Sequence, residues 1–152
     1  MKAIQKILVR IDPDLVAKPV LDLTRQVALA FGARVELLQV FETSGYHGPE
    51  VLDLADEQDP ELDHWRTARV MMGLLKDLAG SRIAVRGRMA FGVAEEEVSR
   101  LAREENFDLI ILGSHSREGL DRFVQSSVAA ALIRKAPCPV LVLPHVVDVI
   151  PD

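Results

Sequence analysis

DLIIL, residues 108–112, decides how this chain folds. Its apolar run has no polar alternation, so it reads as a strand buried on both faces, as in a parallel sheet covered by helices on each side. Working outward, KILVRI (6–11) and VELLQVF (35–41) are further short apolar runs of the same kind. Downstream, CPVLVL (138–143) is bracketed by Pro137, Pro139 and Pro144, which suits a strand start and a sheet edge. RIAVRGRMA (82–90) alternates instead. Ile83, Val85, Gly87 and Met89 fall on one side, with Arg82, Ala84, Arg86 and Arg88 on the other, a pattern that predicts an edge strand guarded by charge.

Helical periods separate these runs. Val16, Val20, Leu23, Val27, Ala30 and Phe31 recur at spacings of three and four, giving a helix with one apolar face that Gly32 is placed to end. Pro19 leaves the start of that helix open, because proline is comfortable only in a first turn. A helix over 61–78 carries Trp65, Ala68, Met72, Leu75 and Ala79 on one stripe, read as core packing. Gly92 opens a third helix, with Glu95, Glu96 and Glu97 at the positive end of its dipole. A last helix falls over 126–134. Strands and helices therefore alternate β-α-β-α-β-α-β-α-β, the pattern of a doubly wound α/β domain with right-handed crossovers. In such a sheet ligands bind beyond the carboxyl ends of the strands, where the strand order changes direction.

Composition sets the class. At 152 residues, with 49% hydrophobic and 27% charged, the chain is expected to form a single domain spanning 1–152. A formal charge of −5 argues against nucleic acid as a partner. Cys138 is the lone cysteine, so neither an internal disulfide nor a cysteine-cluster metal site is expected. No run reaches the ~18 apolar residues of a membrane span, and the N-terminus lacks a signal-peptide core; the expected location is the cytoplasm, with no membrane partner.

Two loops carry candidate chemistry. Asp12-Pro13-Asp14 follows the first strand; a carboxylate there can accept from a ribose or base, or simply cap a helix. After the fourth strand, Gly113 lets backbone N–H groups turn toward an anion. The Ser126-Ser127-Val128 stretch then opens the next helix with hydroxyls and free N–H groups. Residues 113–127 thus read as a phosphate cradle or as a capped helix start. Catalytic signatures are missing: there is no Gly-x-x-x-x-Gly-Lys-Ser/Thr, no Gly-x-Ser-x-Gly, and Ser114 beside His115 does not make a triad. His47, Asp53, Asp56, Asp59 and His64 lie in or beside the 41–60 connection without a recognised ligand spacing, so no metal is expected. A connection this long suits a lid or a partner surface.

ILVRIDPD (7–14), the Gly92 turn and GSHSREGLDRFVQSSVAAALIRKAPCPVLVLP (113–144) resemble the universal stress protein family, essentially over the whole chain. The resemblance implies a five-stranded parallel sheet in the order 3-2-1-4-5, of the adenine nucleotide alpha hydrolase-like type. It also implies a homodimer formed through the last strand, here Val140, Leu141 and Val142. One branch of the family binds ATP through Gly-x-x-Gly, nine residues and Gly-Ser/Thr; another lacks the pattern. Here Gly113 matches the first glycine and Ser127 the hydroxyl, but Ser116 and Ser126 replace the other two glycines with the spacing kept. Asp12 matches the family's acidic residue, and Val40 the position whose backbone reads adenine. The expectation is a non-catalytic stress-response module without a resident cofactor, closer to the branch lacking the motif and acting on a protein partner the sequence does not identify. The alternative is an ATP- or AMP-binding switch.

Overall fold

In the computed structural model, residues 2–11, 18–41, 60–113 and 127–144 are described, the side chains of 60–67 and 127 excepted. The elements are β1 (Lys6–Arg10), α1 (Lys18–Phe31), β2 (Arg34–Phe41), α2 (Pro60–Ala79), β3 (Val85–Phe91), α3 (Ala94–Glu104), β4 (Leu109–Gly113), α4 (Ser127–Lys135) and β5 (Val140–Leu143). All strand pairs are parallel and the order is β3-β2-β1-β4-β5, as the resemblance implies.

Period-two alternation divides the core in two. Ile7, Val9, Ile11, Val35, Leu37 and Ile111 pack on α1 and α2 through Val20, Leu21, Met71 and Leu78. Leu8, Leu38, Val40, Ile110 and Leu112 face the other way, onto Val98 and Leu101 of α3 and Val128 and Leu132 of α4. Adjacent residues of one strand thus serve opposite cores, and this is why the strands lack polar alternation.

The helical stripes differ from the expected ones. In α1 the buried residues are Val20, Leu21, Thr24 and Ala28, while Phe31 is 58% exposed. Thr24 is admitted to the core because its hydroxyl donates to the Val20 carbonyl at 2.7 Å. In α2, Met71 and Leu78 are buried, whereas Met72 and Ala79 of the expected stripe are exposed; Trp65 lies outside the described side chains. Gly32 ends α1 at φ +65°, and Asn106 closes α3 in the same way at φ 55°, letting Phe107 N–H donate to the Ala102 carbonyl.

Two strand boundaries also move. β3 begins at Val85, because Ser81 and Arg82 still form the turn leaving α2, with Arg82 at φ 63°. β5 begins at Val140; Pro139 has no N–H, but its carbonyl accepts from Ile110 N–H at 3.0 Å.

β3 is an edge strand, as its alternation predicts, but its arginines do more than guard an edge. Glu36, its side chain 7% exposed, sits opposite Arg86 in the register and is bridged by Arg86 at 3.1 Å and Arg88 at 2.6 Å. Arg88 also forms a two-pronged contact with Glu105 at 2.6 and 3.0 Å, tying the edge strand to the end of α3. Replacing Arg88 with methionine is expected to cost about 2 kcal/mol, between the ranges for exposed and buried pairs. That cost should appear as a lower urea midpoint at unchanged slope; an unshifted midpoint would show that Arg86 alone suffices for Glu36.

Candidate functional site

α1 and α2 lie on one face of the sheet, α3 and α4 on the other. The chain leaves β1 toward one face and its neighbour β4 toward the other, so the carboxyl ends of β1 and β4 mark the point where the winding reverses. A crevice at such a point is the usual ligand position in an open α/β sheet.

The backbone around this point can be followed strand by strand. In β2, Arg34 N–H donates to the Gln5 carbonyl and the Leu38 carbonyl accepts from Ile11 N–H, so even-numbered residues turn their backbone toward β1. Val40 continues that series, two residues past Leu38, whose register partner Arg10 ends β1. In β4, Ile110 donates away from β1, to Pro139, so the odd residues, Gly113 among them, turn their backbone toward β1. Val40 and Gly113 therefore present backbone polar groups from the two sides toward the end of β1. The Val40 side chain is 5% exposed and shares a core cluster with Val128, in the first turn of α4. Ser127 opens α4, with the orphan N–H groups of a helix start at the carboxyl end of β4.

The fold therefore brings Val40, Gly113, Ser127 and Val128 to one edge of the sheet. Asp12, Asp14, Ser116 and Ser126 lie outside the described residues, as do His47, Asp53, Asp56, Asp59 and nearly all of the 41–60 connection. Among the described residues no group of His, Cys, Asp and Glu has the makings of a metal site, and no helix is long and apolar enough to cross a membrane. Burial, and then the charge of Asp108, push the Cys138 thiol above its ordinary value, which opposes a reactive thiolate.

Two polar side chains at the same edge went unnoticed in the sequence. Gln39 is 8% exposed; its amide nitrogen donates to the Val40 carbonyl at 3.3 Å, while its oxygen has no partner among the described residues. Arg10 ends β1, half-buried, with Nε buried and equally without a partner. The signal for both is a polar residue inside a run otherwise read as core, R in KILVRI and Q in VELLQVF.

A cavity of about 300 Å³ lies at the opposite edge, where β1, β2 and β3 begin, lined by Lys6, Arg34, Glu36, Arg86 and Phe107 among others. Its charges are largely engaged within the protein. Lys6 donates to the Glu105 carbonyl and lies 4.5 Å over the Phe107 ring, and Arg86 pairs with Glu36. Topology therefore favours the carboxyl edge as the ligand site.

Comparison with known proteins agrees with the fold. The model of the universal stress protein family matches residues 3–144. A universal stress protein of Methanocaldococcus jannaschii is 33% identical over 73 residues, 48% of this chain and 45% of its own length. The chain thus spans less than half of that relative. A putative universal stress protein of Staphylococcus aureus is 29% identical over 119 residues, 77% of this chain and 70% of its own. Among solved structures, the M. jannaschii protein superposes with a TM-score of 0.76 at 25% identity, over 97% of this chain and 100% of its own. Two more distant structures share the fold. A universal stress protein of Archaeoglobus fulgidus in complex with dAMP has a TM-score of 0.68 at 17% identity, covering 93% and 98% of the chains. An Arabidopsis thaliana family protein with AMP bound has 0.65 at 16%, covering 97% of both.

Proposed function

Since the chain belongs to the universal stress protein family, we propose that it is a non-catalytic stress-response module, a cytoplasmic homodimer whose adenine-nucleotide pocket is weakened by Ser116 and Ser126. The observation that carries this reading is the convergence of the Val40 and Gly113 backbones on the end of β1, in a chain whose intervening loop keeps the spacing of a nucleotide cradle but not its glycines. Titration calorimetry with Mg-ATP tests it: the reading requires weak, non-saturating heats through the low-micromolar range. Saturable low-micromolar binding would instead establish the second reading, a nucleotide-binding switch. That reading draws support from the dAMP and AMP held by the A. fulgidus and A. thaliana proteins.

The dimer proposal rests on a difference between the two sheet edges. β3 carries Arg86 and Arg88, whereas β5 is VLVL, without a charge, and Leu141 is 36% exposed. An apolar strand edge of this kind invites pairing with a second copy. Leu141→Asp is expected to convert a dimer to a monomer in sedimentation equilibrium, with the helical circular dichroism retained. A variant that sediments as the dimer would remove β5 from the interface.

A further inference from the structure

Arg10 is out of place in its strand. It follows Leu8 on the α3–α4 face of the sheet. It stands in register with Leu38 of β2, and Leu112 is the residue after Ile111, the β4 partner of Val9. Both leucines are fully buried. The stem of a permanent cation is thus set between apolar side chains at the point where the winding reverses, with Nε buried and no acceptor for it among the described residues. Other arginines in similar surroundings are matched: Arg88 by Glu36 and Glu105, and Arg25 by Asp22 and Asp77. A buried guanidinium nitrogen without an acceptor among the described residues is costly, and an anion arriving at this edge would supply one. The guanidinium has the flat fork that matches phosphate oxygens, and the first turn of α4, through Val128 in the same core cluster, lies on the same face.

We propose that Arg10 receives the anionic end of the ligand at the carboxyl edge, so that the site selects phosphorylated ligands over bare nucleosides. This rests on the nucleotide-pocket reading and deepens it: the cation partly makes up for the two absent glycines, and affinity resides in the phosphates.

The test uses the full chain and three probes, followed by phosphorus NMR for ATP and inorganic tripolyphosphate and by proton saturation transfer for adenosine. Arg10→Gln is expected to weaken ATP and tripolyphosphate by about tenfold or more, the loss of a charge-assisted contact, and to leave adenosine unchanged. Arg10→Met keeps an unbranched stem between Leu38 and Leu112 and carries the same comparison if the glutamine variant does not fold. Tripolyphosphate decides the role of Arg10: unchanged affinity in the variants, or no binding to the wild type, overturns it. The pocket is decided separately, by whether ATP binds the wild type more tightly than tripolyphosphate does: equal affinities remove the nucleotide reading and leave the role of Arg10 to tripolyphosphate.

Discussion

Restoring glycine at both positions, in a Ser116→Gly, Ser126→Gly double variant, is expected to tighten Mg-ATP binding by tens- to several-hundred-fold. A glycine in a phosphate-binding loop permits positive φ and, lacking Cβ, lets phosphate approach the backbone. A serine held in a left-handed conformation stores strain on the order of 1–2 kcal/mol. Were ligand binding to demand a loss of this size at both serines, it would amount to ~2–4 kcal/mol, and each ~1.4 kcal/mol is a factor of ten in affinity. The flanks of this loop are in place: Gly113 ends β4 with its backbone toward β1, and Ser127 opens α4. Nucleotide affinity equal to the wild type's in a folded double variant would mean that the two serines do not limit nucleotide binding.

Replacing Asp108 with alanine is expected to cost about 2–4 kcal/mol, or roughly 5–15 °C in Tm. One carboxylate oxygen accepts from the backbone N–H groups of Gln5 and Lys6, both at 3.0 Å, and the other meets Lys2 at 3.0 Å, with the side chain only 5% exposed. Alanine leaves two backbone donors without their acceptor where β1 and β4 begin. Asparagine retains one acceptor and should recover part of the loss. The pH dependence has a definite sign. Burial alone would raise the Asp108 carboxyl, but the hydrogen bonds from Gln5, Lys2 and Lys6 outweigh it and hold it below its ordinary value. The Arg88 guanidinium, against a smaller opposing effect of burial, does the same for Glu105. Groups whose folded pKa is depressed contribute stability above the unfolded value, near 4, and lose it as pH falls through the folded value. The gap between wild type and Asp108→Ala in urea midpoint should therefore be full at neutral pH and narrow in strong acid. A gap that stayed constant with pH would assign the loss to packing alone.

The strands were legible because parallel strands buried on both faces write themselves as largely apolar runs, as DLIIL does and as VELLQVF does apart from Glu36 and Gln39. Helix phase was harder to read. α1 is rich enough in apolar residues to support two overlapping stripes, and the one that packs includes Thr24, which periodicity counts as polar. In α2 the choice between Met71 and Met72 depends on where β2 and β3 lie, which no local pattern contains. The arginines of β3 looked like a solvated face because their partner Glu36 is fifty residues away in sequence. At the candidate site, Gly113, Ser127 and Val128 were read from the strand-to-helix turn itself, and Val40 from the family resemblance. Arg10 and Gln39 were not, because a single polar residue in an apolar run acquires meaning only when register shows what stands beside it. Residues 12, 116 and 126 bear on the site through sequence spacing alone.

The location of the site is the central claim, and amide chemical-shift mapping of the isotopically labelled full chain with Mg-ATP tests it most directly. The resonances of Val40, Gly113 and Val128 should move together along one titration curve. A response confined to Lys6, Arg34 and Phe107 would place the ligand at the opposite edge of the sheet and contradict the account.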